Sequence, residues 1–212
     1  DISRMERLLP TVSQLSSKWA KVALLSHFGR PKGKFDEKFS LGNLSDILAD
    51  VLKADEITVI PDCIGRVTRK VLEDLPEGGI ALLENVRFYL GEEKNDPVFS
   101  KSLSKIADLY INDAFSVSHR KHASINGITK FLPSYAGRAF QFEIEMLNKI
   151  LEKSVPPVSA IIGGSKVSTK LNILSNLVEK MQTIAIGGGM ANTFLAAKNI
   201  SIGSSFHEES MI

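Results

Sequence analysis

Two lysines, Lys166 and Lys170, follow a glycine pair in the segment Gly163–Leu174, which reads GGSKVSTKLNIL. A short apolar run ending at Ile162 precedes the glycines, and apolar residues of helical period follow them. A strand, a glycine turn and a helix start form an anion site, because free backbone N–H groups and the helix dipole favour negative charge. Lysines four residues apart share one helix face and oppose the dipole at a helix start. The segment lacks the G-x-x-x-x-G-K-S/T order, so a phosphate site and a tight turn with solvated lysines both stay open.

Basic residues follow three of the predicted strands. They are His27 and Arg30 after the first strand, Arg87 after the third, and His119, Arg120 and His122 after the fourth. Ligands of open parallel sheets bind at the carboxyl ends of the strands, and the planar fork of arginine suits phosphate and carboxylate. Each residue alone is typical of a solvated or ion-paired surface group. Together they predict an anion pocket at one sheet edge.

Strand-like and helix-like segments alternate along the chain. The predicted strands are Ala20–Ser26, Glu56–Ile60, Ile80–Glu84, Asp108–Asn112, Val158–Ile162 and Gln182–Ile186. The predicted helices are Met5–Lys18, Leu44–Lys53, Val67–Asp74, Pro97–Lys105, Phe140–Leu151, Lys166–Lys180 and Ala191–Lys198. Most strand segments are continuous apolar runs, as expected of parallel strands covered on both faces. The alternation predicts an α/β fold with parallel sheets.

Three further features have structural interpretations. The triple glycine Gly187–Gly189 precedes a predicted helix, where small residues would let a flat ring approach the backbone or would simply form a βα turn. The acidic run Gly91–Asp96 is predicted to be a solvated turn and not a metal site. Trp19, just ahead of a strand, is expected to pack against the sheet.

Composition limits the class of protein. The chain has 212 residues, 43% hydrophobic and 24% charged, which is ordinary for a globular protein with a core. A net charge of +2 gives no general reason for a nucleic-acid or membrane partner. Cys63 is the only cysteine, so no intrachain disulfide can form and a cytoplasmic location is expected. No apolar run is long enough for a transmembrane helix.

A domain boundary is predicted near residues 153–157, where the sequence Lys-Ser-Val-Pro-Pro cannot continue a helix. The predicted organisation is an N-terminal lobe over 1–136, a connecting helix over 137–154 and a partial C-terminal lobe over 155–212. The second lobe contains only two predicted strands, which is few for a complete nucleotide-binding sheet.

Several of these motifs together resemble the phosphoglycerate kinase family, in the style of its bacterial members. The resemblance is carried, in family order, by SHFGRPKG (Ser26–Gly33), LLENVRFYLGEEKND (Leu82–Asp96), INDAFSVSHRKHAS (Ile111–Ser124), LPSYAGR (Leu132–Arg138), GGSKVSTKL (Gly163–Leu171) and GGGMANTFL (Gly187–Leu195). It runs over essentially the whole chain. It implies two Rossmann-like three-layer α/β/α lobes joined by a long helix, the second lobe incomplete here.

The resemblance also implies site residues. For 3-phosphoglycerate or 1,3-bisphosphoglycerate they are Arg4, His27, Phe28, Gly29, Arg30, Arg87 and Arg120. For ADP or ATP, bound with Mg²⁺, they are Gly163, Gly164, Lys166, Lys170, Gly187 and Gly188. Arg4, Lys166 and Lys170 are implied to act on the transferred phosphoryl group. No protein metal ligand is implied, and a monomer is expected.

The implied reaction fits the basic pocket. The acceptor of the phosphoryl group from ATP is a carboxylate, which is already ionised at neutral pH, so no general base is needed. Catalysis would consist of positioning, charge neutralisation and lobe closure. Measured against the family pattern, the strand that supplies a substrate-binding Asp and Asn is absent ahead of Asp1, and a glycine-rich phosphate loop is absent after Ile212. The 212 residues alone are therefore expected to be inactive.

Two other classes of protein compete with a kinase. A non-catalytic module that binds a phosphorylated metabolite would need only the basic pocket. A nicotinamide-dependent dehydrogenase could use a similar sheet, but the chain lacks G-x-G-x-x-G and the acidic residue that follows it.

Overall fold

A computed structural model describes residues 2–152 and 155–212 of the chain. These residues divide into two compact units, the first ending at Ile144 and the second beginning at Glu145. The division falls inside the predicted connecting segment 137–154, whose residues Lys153 and Ser154 lie outside the described part. No helix among the described residues is long and apolar enough to cross a membrane.

The first unit alternates short strands with helices, as the apolar pattern predicts. Its strands are β1 (Val22–Leu24), β2 (Thr58–Ile60), β3 (Ile80–Leu83), β4 (Tyr110–Asn112) and β5 (Ser134–Ala136). Its helices are α1 (Ser3–Glu6), α2 (Leu9–Ser16), α3 (Ser45–Leu52), α4 (Gly65–Asp74), α5 (Leu90–Glu93), α6 (Pro97–Leu103) and the start of α7 (Arg138–Leu151). Several 3₁₀ turns and a π-turn, Ala123–Gly127, connect them.

All strand pairs of the first unit are parallel. Within residues 2–152, β1, β3 and β2 form one sheet in that order, with Ala81 opposite both Ala23 and Thr58. A separate pair, β4 with β5, places Ile111 opposite Tyr135. The parallel α/β fold predicted from the sequence is thus confirmed, although the strands of this unit pair as two sheets and not as one.

The central strand β3 has both faces buried. Because side chains alternate across a strand, Ile80 and Leu82 enter one core cluster, which also contains residues of α2 and α3. Ala81 and Leu83 enter the other, with residues of α4 and α6. This is the three-layer arrangement, and it explains why β3 is a continuous apolar run.

Within this unit the structure differs from the sequence analysis at the first helix, at a strand that was missed and at Trp19. The predicted helix Met5–Lys18 is divided into α1 and α2, because Pro10 at the start of α2 cannot donate into a preceding turn. Strand β5 was missed, since all three of its residues are exposed and form no apolar run. Trp19 does not pack on the sheet: it is 71% exposed, with a φ of 65°.

The second unit contains the rest of α7, then β6 (Ser159–Gly163), α8 (Leu171–Val178), β7 (Thr183–Gly187) and α9 (Gly189–Ala197). Strands β6 and β7 are parallel, with Gly163 opposite Gly187 at their carboxyl ends. Val167, Leu174 and Met190 form its buried core.

Candidate functional site

Charges that follow two strands of the first unit, β3 and β4, act on His27, which follows β1. Its pKa is lowered to about 4, firstly by burial and then by the positive charges of Arg87, Arg120 and His122, while Glu93 acts in the opposite direction. The loops that follow β1, β3 and β4 therefore converge, as the sequence predicts. At neutral pH His27 is uncharged, so it can offer one donor and one acceptor beside the two arginines.

Arg87 is the most deeply placed of these basic groups, with only 6% of its surface exposed. Nη1 donates to the carbonyl oxygen of Gly29 at 3.1 Å, and Nε lies 3.5 Å from Oε1 of Glu93. Nε itself is buried and makes no hydrogen bond within the described residues. Burial lowers the pKa of Arg87. A guanidinium with five donors therefore keeps unused donors for an anion.

The loop after β1 is held in place by Asn85, the residue that follows Glu84. Asn85 is fully buried, and its Nδ2 donates to the carbonyl oxygens of Phe28 at 2.7 Å and Phe39 at 2.9 Å. Its Oδ1 accepts from the backbone N–H of Arg87 at 3.1 Å. Sequence reasoning assigned no role to Asn85, although an amide directly after a buried strand was a signal for one.

Glycine is required at position 29 of this loop. Gly29 has a φ of +63°, and a Cβ there would lie 2.4 Å from the ring of Phe39. Phe28 is exposed, and its ring meets that of Phe39 edge to face at 6.2 Å. The predicted substrate residues Phe28 and Gly29 thus shape the loop around Arg87 through backbone carbonyls and packing.

The loop after β4 delivers Arg120 and His122. It begins at Asp113, whose Oδ1 accepts from the backbone N–H of Phe140 at 3.0 Å near the start of α7. It ends at the π-turn Ala123–Gly127, where the carbonyl oxygen of His122 accepts from three backbone N–H groups. Both ends of the loop are therefore fixed.

Glu92, which belongs to the acidic run Gly91–Asp96, supports the same loop. The run Gly91–Asp96 is not a solvated turn, because Glu92 is 2% exposed and accepts from the backbone N–H of Ser124 at 2.9 Å and from its Oγ at 2.6 Å. Nδ1 of His122 lies 3.6 Å from the same carboxylate. At the end of the run Asp96 caps α6 by accepting from Phe99 N at 2.7 Å.

The other predicted basic residues are exposed, as His27 is, and less buried than Arg87, Arg120 and His122. Arg4 lies on α1, and Arg30 and His119 lie in loops, all three exposed. Arg30 is near enough to Arg87 for its charge to lower the pKa of Arg87. The geometry therefore brings together His27, Arg87, Arg120 and His122, while the role of Arg4 stays a prediction.

In the second unit, the segment with two lysines differs from its predicted structure. Helix α8 begins at Leu171, after a single 3₁₀ turn, Ser168–Lys170, and Lys166 lies in irregular backbone. The two lysines therefore do not share one α-helix face, and the helix start does not directly follow the glycines. The stem of Lys170 instead lies over Gly164, where a Cβ would be 3.1 Å from Cε of Lys170.

A helix start follows the other strand of this unit directly. Gly188, with φ 68° and ψ −158°, turns the chain from β7 into α9. Its neighbour across the turn is Gly164, whose carbonyl oxygen accepts from Met190 N at 2.9 Å. Gly163 and Gly187 have open space where a Cβ would be. The four predicted glycines thus form the carboxyl edge of β6 and β7, beside the helix N-terminus that suits an anion.

A carboxylate that sequence reasoning missed holds the lysine segment. Glu208 accepts from Ser168 through both N, at 3.0 Å, and Oγ, and its own N–H donates to Thr193 Oγ1 at 3.0 Å. The bonds from Ser168 lower the pKa of Glu208. Forty residues separate the partners along the chain, so no local pattern could have shown the pair.

These features define a parallel α/β protein with basic loops at its strand ends. The family model of phosphoglycerate kinase matches residues 1–212. The chain belongs to the phosphoglycerate kinase family, which confirms the resemblance seen in its motifs.

Curated relatives and solved structures agree with the family. The chain is 51% identical over 211 residues to phosphoglycerate kinase of Brucella suis, covering all of this chain and 53% of that protein. It is 50% identical to that of Rhodopseudomonas palustris, covering 52% of it. The structure of phosphoglycerate kinase from Coxiella burnetii matches 99% of the chain with a TM-score of 0.85 at 36% identity, and that from Pyrococcus horikoshii matches 95% with a TM-score of 0.79 at 31% identity. The chain spans about half the length of the curated relatives it matches.

Proposed function

We propose that the chain supplies the substrate lobe and part of the nucleotide lobe of a phosphoglycerate kinase. The reaction is reversible phosphoryl transfer between 1,3-bisphosphoglycerate with ADP and 3-phosphoglycerate with ATP. In this proposal residues 1–136 bind 3-phosphoglycerate, 137–154 connect the lobes and 155–212 bind part of the nucleotide.

The convergence of His27, Arg87 and Arg120 carries this proposal. Two guanidiniums and an uncharged imidazole can bind a small molecule that bears one phosphate and one carboxylate, because arginine pairs with both groups through two parallel bonds. The Arg87 donors that are engaged neither with Gly29 nor with Glu93 favour such a ligand, because a charge-assisted hydrogen bond is about twice as strong as a neutral one. Phe28, Gly29 and Arg30 complete the proposed wall, and Arg4 is proposed to reach the transferred group.

The nucleotide side of the proposal rests on the carboxyl edge of β6 and β7. The open faces of Gly163 and Gly187 leave room for a ligand near the backbone. Gly164 and Gly188 make the close turn, while Lys166 and Lys170 would neutralise phosphate charge.

Mg²⁺ is the proposed cofactor and would arrive with the nucleotide. No group of three or more His, Cys, Asp or Glu side chains that could hold a metal ion occurs in residues 2–152 and 155–212. Mg²⁺ does not need such a group of protein ligands, because it keeps several waters and binds largely through substrate phosphates. The ion would supply further neutralisation of phosphate charge.

The proposed chemistry needs no proton transfer from the protein. The carboxylate of 3-phosphoglycerate attacks the terminal phosphorus of ATP while the bond to the ADP oxygen breaks, and the reverse reaction retraces this path. Arg4, Lys166 and Lys170 are the proposed catalytic groups, because they would neutralise the charge spread over the phosphoryl oxygens. Lobe closure would exclude water from the reaction.

Separate calorimetric titrations of this chain with 3-phosphoglycerate and with ADP test the proposal. Binding of both ligands supports the kinase assignment. Binding of 3-phosphoglycerate alone would support the alternative, which is a non-catalytic module for a phosphorylated metabolite. The cluster of basic residues around Arg87 favours this alternative, because such a module would need only that cluster. Failure to bind 3-phosphoglycerate would reject both.

Three further properties belong to the same proposal. A cytoplasmic location is inferred from the single, buried Cys63, and the lack of a nucleic-acid or membrane partner from the net charge of +2. A monomer is proposed from the family resemblance. The 212 residues alone are expected to show no turnover, which a coupled assay with ATP and 3-phosphoglycerate would check.

A further inference from the structure

Two neighbouring carboxylates of α5 contact two different basic loops. Glu92 accepts hydrogen bonds from Ser124 in the π-turn that follows Arg120. Glu93 lies 3.5 Å from Nε of Arg87 in the loop after β3. Successive residues of a helix point about 100° apart, so one short helix can hold both loops at once.

Glu92 is the more buried of the two, and it is fully engaged. Its Oε2 accepts from Ser124 N at 2.9 Å, and its Oε1 accepts from Ser124 Oγ at 2.6 Å and lies 3.6 Å from Nδ1 of His122. Burial raises the pKa of Glu92, while the bonds from Ser124 and the charges of His122 and Arg87 lower it. A buried carboxylate is costly unless hydrogen-bonded, and the largest contributions that offset this cost are the bonds from Ser124, at the end of the loop that carries Arg120.

We propose that Glu92 is a positioning residue of the anion pocket. Its carboxylate fixes Ser124 and His122 and thereby holds Arg120, two residues earlier, towards His27 and Arg87. The inference rests on the proposed function in one respect, which is that the ligand of the pocket is 3-phosphoglycerate.

The charge of Glu92 and its positioning role predict opposite effects on binding. A carboxylate near an anion pocket repels the ligand, so removing the charge alone would tighten binding. Removing the positioning contacts would release the loop and weaken binding, because the free loop would have to be ordered on binding. The sign of the change therefore separates the two.

The test replaces Glu92→Gln in this chain and measures 3-phosphoglycerate binding by calorimetry. Gln keeps the shape but loses the charge that strengthens the bonds from Ser124, and a charge-assisted hydrogen bond is about twice as strong as a neutral one. We expect binding weaker by about fivefold or more. Glu77→Gln, which removes the same charge at an exposed position before β3, is the matched control and should leave the affinity within about twofold. Equal or tighter binding by Glu92→Gln would overturn the proposal.

A second variant and a second ligand exclude general damage to the fold. Ser124→Ala removes the partner hydroxyl, and the double variant Glu92→Gln/Ser124→Ala should be less impaired than the sum of the singles, because both act on one contact. ADP binding should not change in any of these variants, since the lysine segment lies in the other unit. Loss of ADP binding together with 3-phosphoglycerate binding would indicate unfolding and contradict the positioning role.

Hydrogen exchange without ligand distinguishes failure of this inference from failure of the proposed function. If the unsubstituted chain does not bind 3-phosphoglycerate, the proposed function fails. The support of the loop by Glu92 is then judged on residues 120–127, whose backbone amides should exchange faster in Glu92→Gln than in Glu77→Gln. Equal exchange rates would reject the positioning role whatever the ligand.

Discussion

Arg87 donates a hydrogen bond from Nη1 to the carbonyl oxygen of Gly29 at 3.1 Å, and this contact joins the loop after β3 to the loop after β1. Glu93 lies on the Nε side of the same guanidinium at 3.5 Å. These two contacts hold the guanidinium of Arg87 in one orientation and leave some of its N–H donors without a partner. A rigid donor set binds an anion with little loss of side-chain entropy.

Arg87→Lys is expected to weaken 3-phosphoglycerate binding about tenfold or more, since a hydrogen bond to a charged group contributes about 1.5–3 kcal/mol. Lysine keeps the charge but has no planar fork, so it cannot contact Gly29 and a ligand in the same geometry. Calorimetry measures the change. Arg69→Lys, at an exposed position of α4, is the control. Similar affinities of the two variants would show that Arg87 acts only as a charge.

The sequence predicted the sheet better than it predicted the supports of the site. All six predicted strands overlap observed ones, because most of them are continuous apolar runs, although only Ile80–Leu83 is buried along its whole length. Strand β5, whose three residues are exposed, has no such run. Local patterns likewise correctly placed His27, Arg87 and Arg120 at strand ends.

The missed features depend on contacts between distant parts of the chain. Glu92 appeared solvated in sequence because its partner, Ser124, lies 32 residues away. Glu208 was missed for the same reason, because its partner Ser168 lies 40 residues away along the chain. The start of α8 at Leu171 was misplaced because Lys166–Lys170 continues the helical period of the apolar residues, while the preceding loop is set by contacts with Glu208 and with the turn at Gly188.

The charge state of His27 should make stability depend on pH in a defined direction. Its pKa is about 4 in the folded chain and 6.5 in the reference state. Between these values the unfolded chain binds more protons, so the free energy of unfolding falls as pH falls from 6.5 to 4. His27→Asn should remove this part of the dependence. Urea unfolding at pH 7 and pH 5 should show a smaller loss for the variant, and an equal loss would contradict the lowered pKa.

Anion binding should raise the pKa of His27. A bound phosphate offsets the charges of Arg87 and Arg120, which lower this pKa in the free chain. Proton NMR of the imidazole, titrated with and without 3-phosphoglycerate, measures the shift. His207, in the other unit, serves as the internal control. No change at His27, or an equal change at His207, would place the ligand elsewhere.

Lys170→Ala should affect the nucleotide side and not the substrate side. Because the stem of Lys170 lies over Gly164 at the edge of β6, removing it should weaken ADP binding about tenfold, the loss expected for a charge-assisted bond to phosphate. Binding of 3-phosphoglycerate should stay within about twofold. In the intact protein, turnover should fall far more than 3-phosphoglycerate binding. Lys198→Ala, exposed at the end of α9, controls for lost charge, and equal loss of both ligands would contradict the assignment.

Gly188→Ala and Gly187→Ala form a matched pair of neighbouring substitutions with opposite expected outcomes. Gly188 has φ 68° and ψ −158°, a conformation that is essentially restricted to glycine and costs other residues about 1–3 kcal/mol. A Cβ there would also lie 2.9 Å from the backbone oxygen of Gly164, which cannot move aside as a flexible side chain could. A Cβ on Gly187 meets nothing within 4 Å, and alanine reduces the entropy of the unfolded chain.

Urea unfolding should therefore show Gly188→Ala destabilised by about 1–3 kcal/mol and Gly187→Ala close to the unsubstituted chain. ADP titration gives the complementary result. The added methyl group of Gly187→Ala occupies open space at the carboxyl edge of β7, so this variant should bind ADP more weakly while remaining stable. A stable Gly187→Ala that binds ADP normally would show that the nucleotide does not approach this strand end.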